Sequence, residues 1–432
     1  MRRPFVSIVT VNLDGRAHLE VLLASLAGQT YPSDRFEVWV VDNGSRDGSV
    51  AWIREHHPHV RLIVNDSNEG FARPNNQAAR QASGELLALV NNDMKLRPDW
   101  LERMVDHLQA SPADVACVGG RILNWDGSAV DFIRGTMAFN GMGFQPGHGA
   151  PVDGPEGRDF PDDLLFACGG AMLIRRDVFL ASGGFDEDHF AYYEDVDLGW
   201  RLWVLGHRVR FCPDAVCYHR HNGTSSRFAR AGKVVLFERN ALAAMVKNYE
   251  EATLARALPA ALLLAFKRVG VRSGLEREDF RFGPPPTRTI ACDARPESSL
   301  RKVMRTLVRL GPLGFGRKVA VAIARDILRR WGGQTEESAL SAPILREAYA
   351  TVVGVEDLID RLPRLLEQRA AIQQRRRRSD AELFAHFGDV LAPVEGQRDY
   401  LVAHAGVLNA LGLDELVMAP RSSGSSETEV QA

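Results

Sequence analysis

The segment ELLALVNNDMKLRPDW, residues 85–100, contains an apolar strand, a polar strand end and the start of a helix. The apolar run that ends at Val90 predicts a buried strand, and Asn91, Asn92 and Asp93 follow it directly. Asn and Asp are common in tight turns for purely local reasons, so the triplet alone fits a turn. The alternative is that a cation or a polar ligand lies at this strand end and is held by side-chain oxygens.

The same alternation of strand and helix continues on both sides of this segment. Helical stretches separate five apolar or β-branched runs, which predict strands at 6–11, 36–42, 60–65, 85–90 and 114–120. This rhythm predicts an α/β fold with a mostly parallel sheet and helices on both faces. Ligands of such sheets bind beyond the carboxyl ends of the strands, where Asn12, Asp42 and Asp93 are found.

The composition is that of an ordinary globular protein. The 432 residues can form two or three domains, with 45% hydrophobic and 25% charged residues. The longest apolar run, 257–266, is too short to span a bilayer. Five cysteines without CxxC or zinc spacing, together with an opening segment unlike a signal peptide, predict reduced thiols and a cytoplasmic location.

The C-terminal half has a different pattern, with Ala, Leu and Arg at helical spacing. We expect an α/β domain at 1–230, a helical region at 231–418 and a disordered tail at 419–432. Nine bases and one acid lie between residues 300 and 331, interleaved with apolar residues. This segment predicts peripheral contact with an anionic membrane on its inner face, although a helical bundle with solvated arginines fits equally well. Nucleic-acid binding is not expected, because no recognised motif is present, and no pattern indicates an oligomeric state.

The segment YYEDVDLGWR, residues 192–201, concentrates negative charge. Glu194, Asp195 and Asp197 lie within one helical turn, which is unfavourable unless cations or hydrogen bonds compensate. An acidic helix N-terminus favoured by the helix dipole is the structural explanation. The aromatic neighbours would half-bury these acids, and this favours a general base that acts on a hydroxyl.

Three further patterns leave functional and structural explanations open. In DNGS, Asp42 can accept a hydrogen bond from the imide of uracil or thymine, or the four residues can form a turn. In CYHRHNGTSS, His219 and His221 can supply a nitrogen ligand to a metal ion at Asp93, or have a structural role. The segment NEGFARPNN lacks the GxxxxGK[ST] and GxGxxG spacings, which argues against a P-loop NTPase and an NAD enzyme.

Several motifs occur together in one order: VSIVTVNLDG, VVDNGSRDGS, NEGFARPNN, VNNDM, CGGAMLIRRDVF, GGFDEDHFAYYEDVDLGWR and a late His. In this order they resemble glycosyltransferase family 2, in particular its bacterial rhamnosyl- and galactofuranosyl-type members, over roughly residues 5 to 230. The resemblance implies a GT-A fold and an inverting transfer from a UDP- or dTDP-sugar with Mg²⁺ or Mn²⁺. It also implies that the acceptor is a hydroxyl of a polyprenyl-linked glycan, and that the reaction belongs to the synthesis of a bacterial cell-surface polysaccharide.

The resemblance also implies roles for individual residues. Asp195 matches the catalytic base, with Glu194 beside it, and Asp93 with His219 or His221 would bind the metal ion. Contacts to the nucleotide-sugar are implied for Thr10, Asn12, Asp42, Asn43, Gly70, Phe71, Asn76, Asn91 and Asn92. Contacts to the acceptor are implied for Gly169, Gly170, Ala171 and Arg201. The chain departs from the family pattern at Asn91, where an acid is frequent, and at Arg73-Pro74, where small residues are usual.

Two other functions fit parts of this sequence. A catalytically silent sugar-nucleotide-binding or scaffold protein could have the same fold, since fold does not secure activity. A sugar nucleotidyltransferase would carry a phosphate loop rich in Gly and Arg or Lys after its first strand. This chain has NLDGRAHLE at that position.

Overall fold

The computed structural model describes residues 3–158, 160–220, 230–273, 346–388 and 398–413. The described residues from 3 to 272 and from 347 to 413 belong to one compact unit. His221, the basic segment at 300–331 and the tail at 419–432 lie outside the described residues. The roles expected of them, and the domain boundaries drawn from the sequence, stay predictions.

The strands of the described residues are β1 Val6–Asn12, β2 Phe36–Asp42, β3 Arg61–Val64, β4 Leu86–Val90, β5 Met94–Leu96, β6 Val115–Asn124, β7 Val130–Phe132, β8 Thr136–Met137, β9 Gly143–Phe144, β10 Ala171–Arg175 and β11 Arg208–His219. The helices are α1 Arg16–Ala27, α2 Ser49–His56, α3 Ala72–Gln81, α4 Trp100–Ala110, α5 Pro155–Arg158, α6 Arg176–Ala181, α7 Glu194–Val204, α8 Arg230–Asn248, α9 Glu251–Ser273, α10 Arg346–Gln374, α11 Asp380–His386 and α12 Arg398–Ala410. Every helix in these ranges is too short or too polar to cross a membrane.

The main sheet has the order β3-β2-β1-β4-β10-β6-β11-β5, with β7 paired to β6. Strands β1 to β4 are parallel, and so are β6 and β11. The strand order reverses at β1, since the chain first builds outward to β3 and then returns to place β4 on the other side. Such a reversal opens a crevice at the carboxyl ends of the strands, which is where ligands of α/β sheets bind.

The predicted α/β fold with a mostly parallel sheet and a helical C-terminal region is confirmed. The sheet is mixed, because β10 runs antiparallel to both β4 and β6 and β5 runs antiparallel to β11. A parallel neighbour would need a crossover connection, usually a helix, between the strands. The chain instead reaches β10 through the long segment after β7, which contains only short elements.

Helix α1 shows how the apolar pattern builds the core. Its residues Leu19, Leu22, Leu23 and Leu26 are buried. Their spacing of three and four residues places them on one face of the helix, turned towards the sheet. Each buried leucine contributes about 1.5–3 kcal/mol relative to an exposed one. The face thereby anchors the helix that follows the first strand end.

Helix α8 shares the buried interior with α7, since its residues from Glu238 to Asn248 are all buried. The Lys247 ammonium is 1% exposed, contacts the Asp186 carboxylate and lies 3.0 Å from Asp197 Oδ2. It therefore compensates two carboxylates that would otherwise be buried together.

The neighbourhood of Lys247 makes the fold sensitive to acid. His189 is fully buried, and its pKa is lowered to about 4. Burial is the largest cause, and the charges of Lys247 and Arg239 lower the pKa further. The carboxylates of Asp186 and Asp197 raise it but do not outweigh these effects. Unfolded histidine has a pKa near 6.5, so the unfolded chain binds more protons between these values. Stability is therefore lost as the pH falls from 6.5 towards 4. Because of His189 alone, the free energy of unfolding measured with urea should be lower at pH 5 than at pH 7.5 by on the order of 2 kcal/mol.

A histidine substitution tests this origin of the acid sensitivity. His189→Gln should reduce the difference in unfolding free energy between the two pH values, because the ring that resists protonation is gone. The exposed His59 supplies the control, and His59→Gln should leave the difference as in wild type. An undiminished difference in His189→Gln would assign the sensitivity to other groups.

Candidate active site

A cavity of about 350 Å³ lies at the carboxyl ends of β1, β2 and β4, and we refer to it as the strand-end cavity. Many of the residues singled out from the sequence line it: Asn43, Gly70, Phe71, Asn91, Asn92, Asp93, Gly169, Gly170, Glu194, Asp195 and His219. The structure therefore brings together residues that lie as far apart in the sequence as Asn43 and His219. Gly70 has φ +83°, and a Cβ there would lie 2.3 Å from the Phe190 carbonyl oxygen, so no larger residue fits.

Side-chain amides connect the strand ends beneath this cavity. Asn92 Nδ2 donates to Asn12 Oδ1 at 2.8 Å, and Asn12 Nδ2 donates to Asp42 Oδ2 at 2.9 Å. The other Asp42 oxygen accepts from the Ser45 amide at 2.8 Å. Thr10, Asn12 and Asp42 are fully buried and are not among the lining residues. In this structure the side chains of Asn12 and Asp42 connect the strand ends.

Asp93 and His219 face each other in the strand-end cavity. His219 Nε2 lies 3.4 Å from Asp93 Oδ2, because β11 pairs with β5 directly after the NND segment. Burial alone would raise the pKa of Asp93, but the hydrogen bond and the charge of His219 lower it. Burial likewise opposes protonation of His219, yet Asp131 and Asp93 raise its pKa to about 10.

Asp131 is a residue that the sequence did not reveal. Its Oδ2 atom lies 2.5 Å from His219 Nδ1, and its Oδ1 atom lies 3.3 Å from His148 Nδ1. A carboxylate on one ring nitrogen fixes the orientation of the ring and leaves the other nitrogen, Nε2, directed at Asp93. Asp131 lies in a short strand within an irregular, glycine-rich segment, so no local periodicity pointed to it.

The Asp93–His219 pair fits a divalent metal ion. It offers a carboxylate oxygen and, once a metal ion has displaced the proton that Asp93 and Asp131 stabilise on His219, an imidazole nitrogen in one cavity, and Asp131 provides the supporting contact typical of metal-binding histidines. An ion that accepts both donor types, such as Mn²⁺, suits this pair better than Mg²⁺, which prefers oxygen alone.

A second group of ligand-type side chains is formed by Asp186, His189 and Asp197, whose donor atoms lie within 4.8 Å of one another. The Lys247 ammonium contacts both carboxylates of this group. The positive charge that a metal ion would supply is therefore already provided by the chain.

A larger cavity of about 860 Å³ adjoins the strand-end cavity, and we refer to it as the loop cavity. It is lined mainly by the segment around β9 and by aromatic side chains: Ile133, Arg134, Gly143, Phe144, Gln145, Pro146, Gly147, His148, Glu156, Phe166, Tyr193, Val196 and Phe237. Tyr192, Glu194 and Asp195 line both cavities. The two acids thus lie in the wall that separates two spaces, each large enough for a sugar-sized ligand.

The two adjacent acids have different surroundings. Burial and the neighbouring Asp195 raise the pKa of Glu194 well above its usual value. Burial also raises the pKa of Asp195, but the backbone amides of Gly169 and Val196 donate to it at 2.9 and 2.8 Å and stabilise the charged form. The pair therefore favours an ionised Asp195 beside a protonated Glu194, which are the states expected of a base and a neutral neighbour.

Other predicted site residues have different positions. Arg201 is 5% exposed, donates to the carbonyls of Ser182 and Gly184 at 3.0 and 2.6 Å and lies 3.2 Å from Asp197 Oδ2. Its guanidinium makes these contacts inside the fold and lines neither cavity, and the contact to an acceptor that the resemblance implies stays a prediction.

Asn76 and Ala171 line neither cavity, and their roles stay predictions. Asn76 Oδ1 accepts from the Phe185 amide at 3.0 Å, and its Nδ2 donates to the Phe185 carbonyl at 2.8 Å. It holds the loop before the acidic motif. Ala171 is buried in β10, where it pairs with Val90.

Comparison with known proteins identifies the family. The family model described as Glycosyl transferase family 2 matches residues 6–181. The chain is 30% identical over 239 residues to the N-acetylglucosaminyl-diphospho-decaprenol L-rhamnosyltransferase of Mycobacterium tuberculosis, a match that covers 50% of this chain and 76% of that protein. The chain belongs to glycosyltransferase family 2. The family resemblance and the GT-A fold class predicted from its motifs are confirmed.

Other matches to this family 2 chain are more partial. It is 35% identical over 231 residues to the O-antigen biosynthesis protein RfbC of Myxococcus xanthus, which covers 52% of this chain but only 18% of the length of that relative. A crystal structure of GalNAc-T7 with UDP, GalNAc and Mn²⁺ matches 61% of this chain and 52% of that chain, with a TM-score of 0.47 and 16% identity.

Proposed function

We propose that this protein transfers a sugar from a UDP- or dTDP-sugar to a hydroxyl of a lipid-linked glycan, with inversion, in the synthesis of a bacterial surface polysaccharide. The observation that carries the proposal is the position of Asp195 in the wall shared by the two cavities. A carboxylate there can take the proton of a hydroxyl in one cavity while the sugar carbon is held in the other. A single displacement of this kind inverts the anomeric centre.

The donor belongs in the strand-end cavity on this proposal. Asp93 and His219 would hold the divalent ion, which supplies charge to stabilise the departing nucleoside diphosphate. Asn43, Asn91 and Asn92 offer polar atoms for the nucleotide-sugar. A contact between Asp42 and the nucleotide base, which the family resemblance implies, would require Asp42 to exchange its present hydrogen bonds with Asn12 or Ser45.

The acceptor belongs in the loop cavity. Its aromatic side chains, Phe144, Phe166, Tyr192 and Phe237, suit the apolar faces of sugar rings, and Arg134 adds positive charge. The name of the mycobacterial relative describes an acceptor that combines a sugar, a diphosphate and a polyprenol. A similar acceptor would bring this protein to the inner face of the membrane, in keeping with the peripheral contact predicted from its basic segment.

The proposal is tested by a donor screen coupled to one substitution. UDP- and dTDP-sugars are incubated with the protein and Mn²⁺ or Mg²⁺, with and without a polyprenyl-diphosphate sugar acceptor, and free nucleotide and product are measured. Wild type should release nucleotide only with metal present. Asp93→Asn should keep the fold yet lose metal-dependent donor binding in calorimetry, because the carboxylate that holds the ion is gone.

Asp126 provides a matched control, since it is an exposed aspartate in the same part of the chain. Asp126→Asn should bind donor and metal as wild type does. Equal donor affinity in wild type with and without EDTA would contradict the metal site. Metal-dependent binding without any transfer or hydrolysis would favour the catalytically silent alternative.

A further inference from the structure

The backbone that leads into the acidic motif has an uncommon conformation. Phe190, Tyr192 and Tyr193 have φ values of 63°, 68° and 67°. Positive φ is an outlier for large side chains, and such a conformation persists only where the surrounding structure imposes it. Tyr193 is also the residue before α7, so its conformation sets the direction in which Glu194 and Asp195 leave the loop.

One side chain of α8 contacts most of this segment. Asn240 is 0% exposed, and its Nδ2 atom lies 3.0, 3.1 and 2.7 Å from the carbonyl oxygens of His189, Ala191 and Tyr192. The two amide hydrogens are thus distributed over three carbonyls of residues 189–192, in the same loop.

The orientation of this amide is fixed by its neighbour. Arg239 Nε donates to Asn240 Oδ1 at 2.9 Å. Because a guanidinium can only donate, the atom facing it must be the amide oxygen, and the amide nitrogen must face the loop. Arg239 Nη2 adds hydrogen bonds to the carbonyls of Asp188 and His189 at 3.0 and 2.9 Å.

From these contacts we infer that Asn240 is a positioning residue for the acidic pair, and that α8 is thereby part of the transfer machinery. The inference rests on the proposed function, in which Asp195 is the base. Asn240 touches neither cavity but holds the carbonyls of Ala191 and Tyr192, three and two residues before Glu194. It thereby keeps Asp195 Oδ2 within 2.9 Å of the Gly169 amide, in the wall between the cavities. Asn240 lies beyond the segment that the family model matches, 6–181.

The test replaces the amide and compares it with an equivalent amide elsewhere. Gln373 of α10 is the matched control, because its nitrogen donates to the carbonyls of Lys247 and Tyr249 and its oxygen accepts from Arg376 Nε. Asn240→Leu should lower kcat by about 10- to 100-fold, the order expected when a catalytic group is displaced by up to about 1 Å from its productive position. Nucleotide affinity should be unchanged, and Gln373→Leu should alter neither quantity.

A second readout does not depend on activity. Hydrogen–deuterium exchange of the peptide covering residues 189–197 should be faster in Asn240→Leu than in wild type and Gln373→Leu. Asn240→Ser, which keeps one donor and avoids a bulky side chain, should be intermediate in both exchange and kcat.

The outcomes separate the inference from the proposed function. Equal exchange and equal kcat in Asn240→Leu and Gln373→Leu would overturn the positioning role. A fall in nucleotide affinity with unchanged kcat would overturn it as well, since Asn240 would then act on binding. Absence of transfer by wild type with every donor would reject the proposed function, while the exchange comparison would still decide whether Asn240 holds the loop.

Discussion

Asp195→Asn is expected to lower kcat for sugar transfer by about 10²–10⁴-fold, the usual contribution of a general base. The amide keeps the shape of the side chain but cannot accept the proton of the acceptor hydroxyl. Donor affinity should stay near wild type, because the group acts on the acceptor. Turnover at saturating donor and acceptor, together with calorimetric binding of the nucleotide, measures the two effects separately.

Glu194→Gln is the natural comparison. Burial and Asp195 favour the protonated form of Glu194, and an amide resembles a protonated carboxyl in shape and charge. This substitution should therefore cost less turnover than Asp195→Asn. A larger loss in Glu194→Gln would assign the base to Glu194, and full turnover in both variants would reject a base at this motif.

Lys247→Met is expected to lower the free energy of unfolding by about 3–5 kcal/mol, the cost of removing one partner from a buried ionic group. The methionine fills similar space but leaves Asp186 and Asp197 buried close to each other without the ammonium. The Arg201 guanidinium, 3.2 Å from Asp197 Oδ2, still compensates part of this charge. Urea denaturation at neutral pH measures the loss.

Lys267 lies exposed on α9 and gives the control. Lys267→Met should change stability by less than about 0.5 kcal/mol, as surface substitutions usually do. Adding Asp186→Asn to Lys247→Met should restore part of the loss, because one uncompensated charge is removed. Equal stability of Lys247→Met and Lys267→Met would show that the ammonium does not compensate the carboxylates.

The parts of the site that the sequence predicts are those where the polarity changes abruptly along the chain. The apolar run that ends at Asn91-Asn92-Asp93 and the run that ends at Asp42 each predict a strand end, and parallel strands bring their ends to one edge. Both strand ends therefore fall at the same crevice, and Asp93 lines the cavity there. The sequence also indicates the acidic motif, because several carboxylates in one helical turn repel one another and destabilise the helix unless cations or hydrogen bonds compensate them.

The rest depends on contacts between distant residues, which local patterns do not encode. The apolar run Ala171–Arg175 fits either strand direction, so its antiparallel pairing with β4 was not predictable. The family resemblance implied a contact between Arg201 and an acceptor, but α7 is buried on almost every side, and Arg201 is directed into the fold. Asn240 lies 48 residues or more from the carbonyls it contacts and is one ordinary residue in a helical pattern.

The separation of the two cavities has a consequence for how proteins of this kind diversify. Within the described ranges, residues 133–148 contribute to the lining of the loop cavity and not to that of the strand-end cavity. Insertions and replacements in such a connecting segment are tolerated more readily than changes in the strands. On the proposed assignment, a lineage could acquire a new glycan target by remodelling this one stretch while inheriting its nucleotide-sugar unchanged. Exchange of that stretch between relatives would be the shortest graft able to transfer a preference for one glycan to another chain.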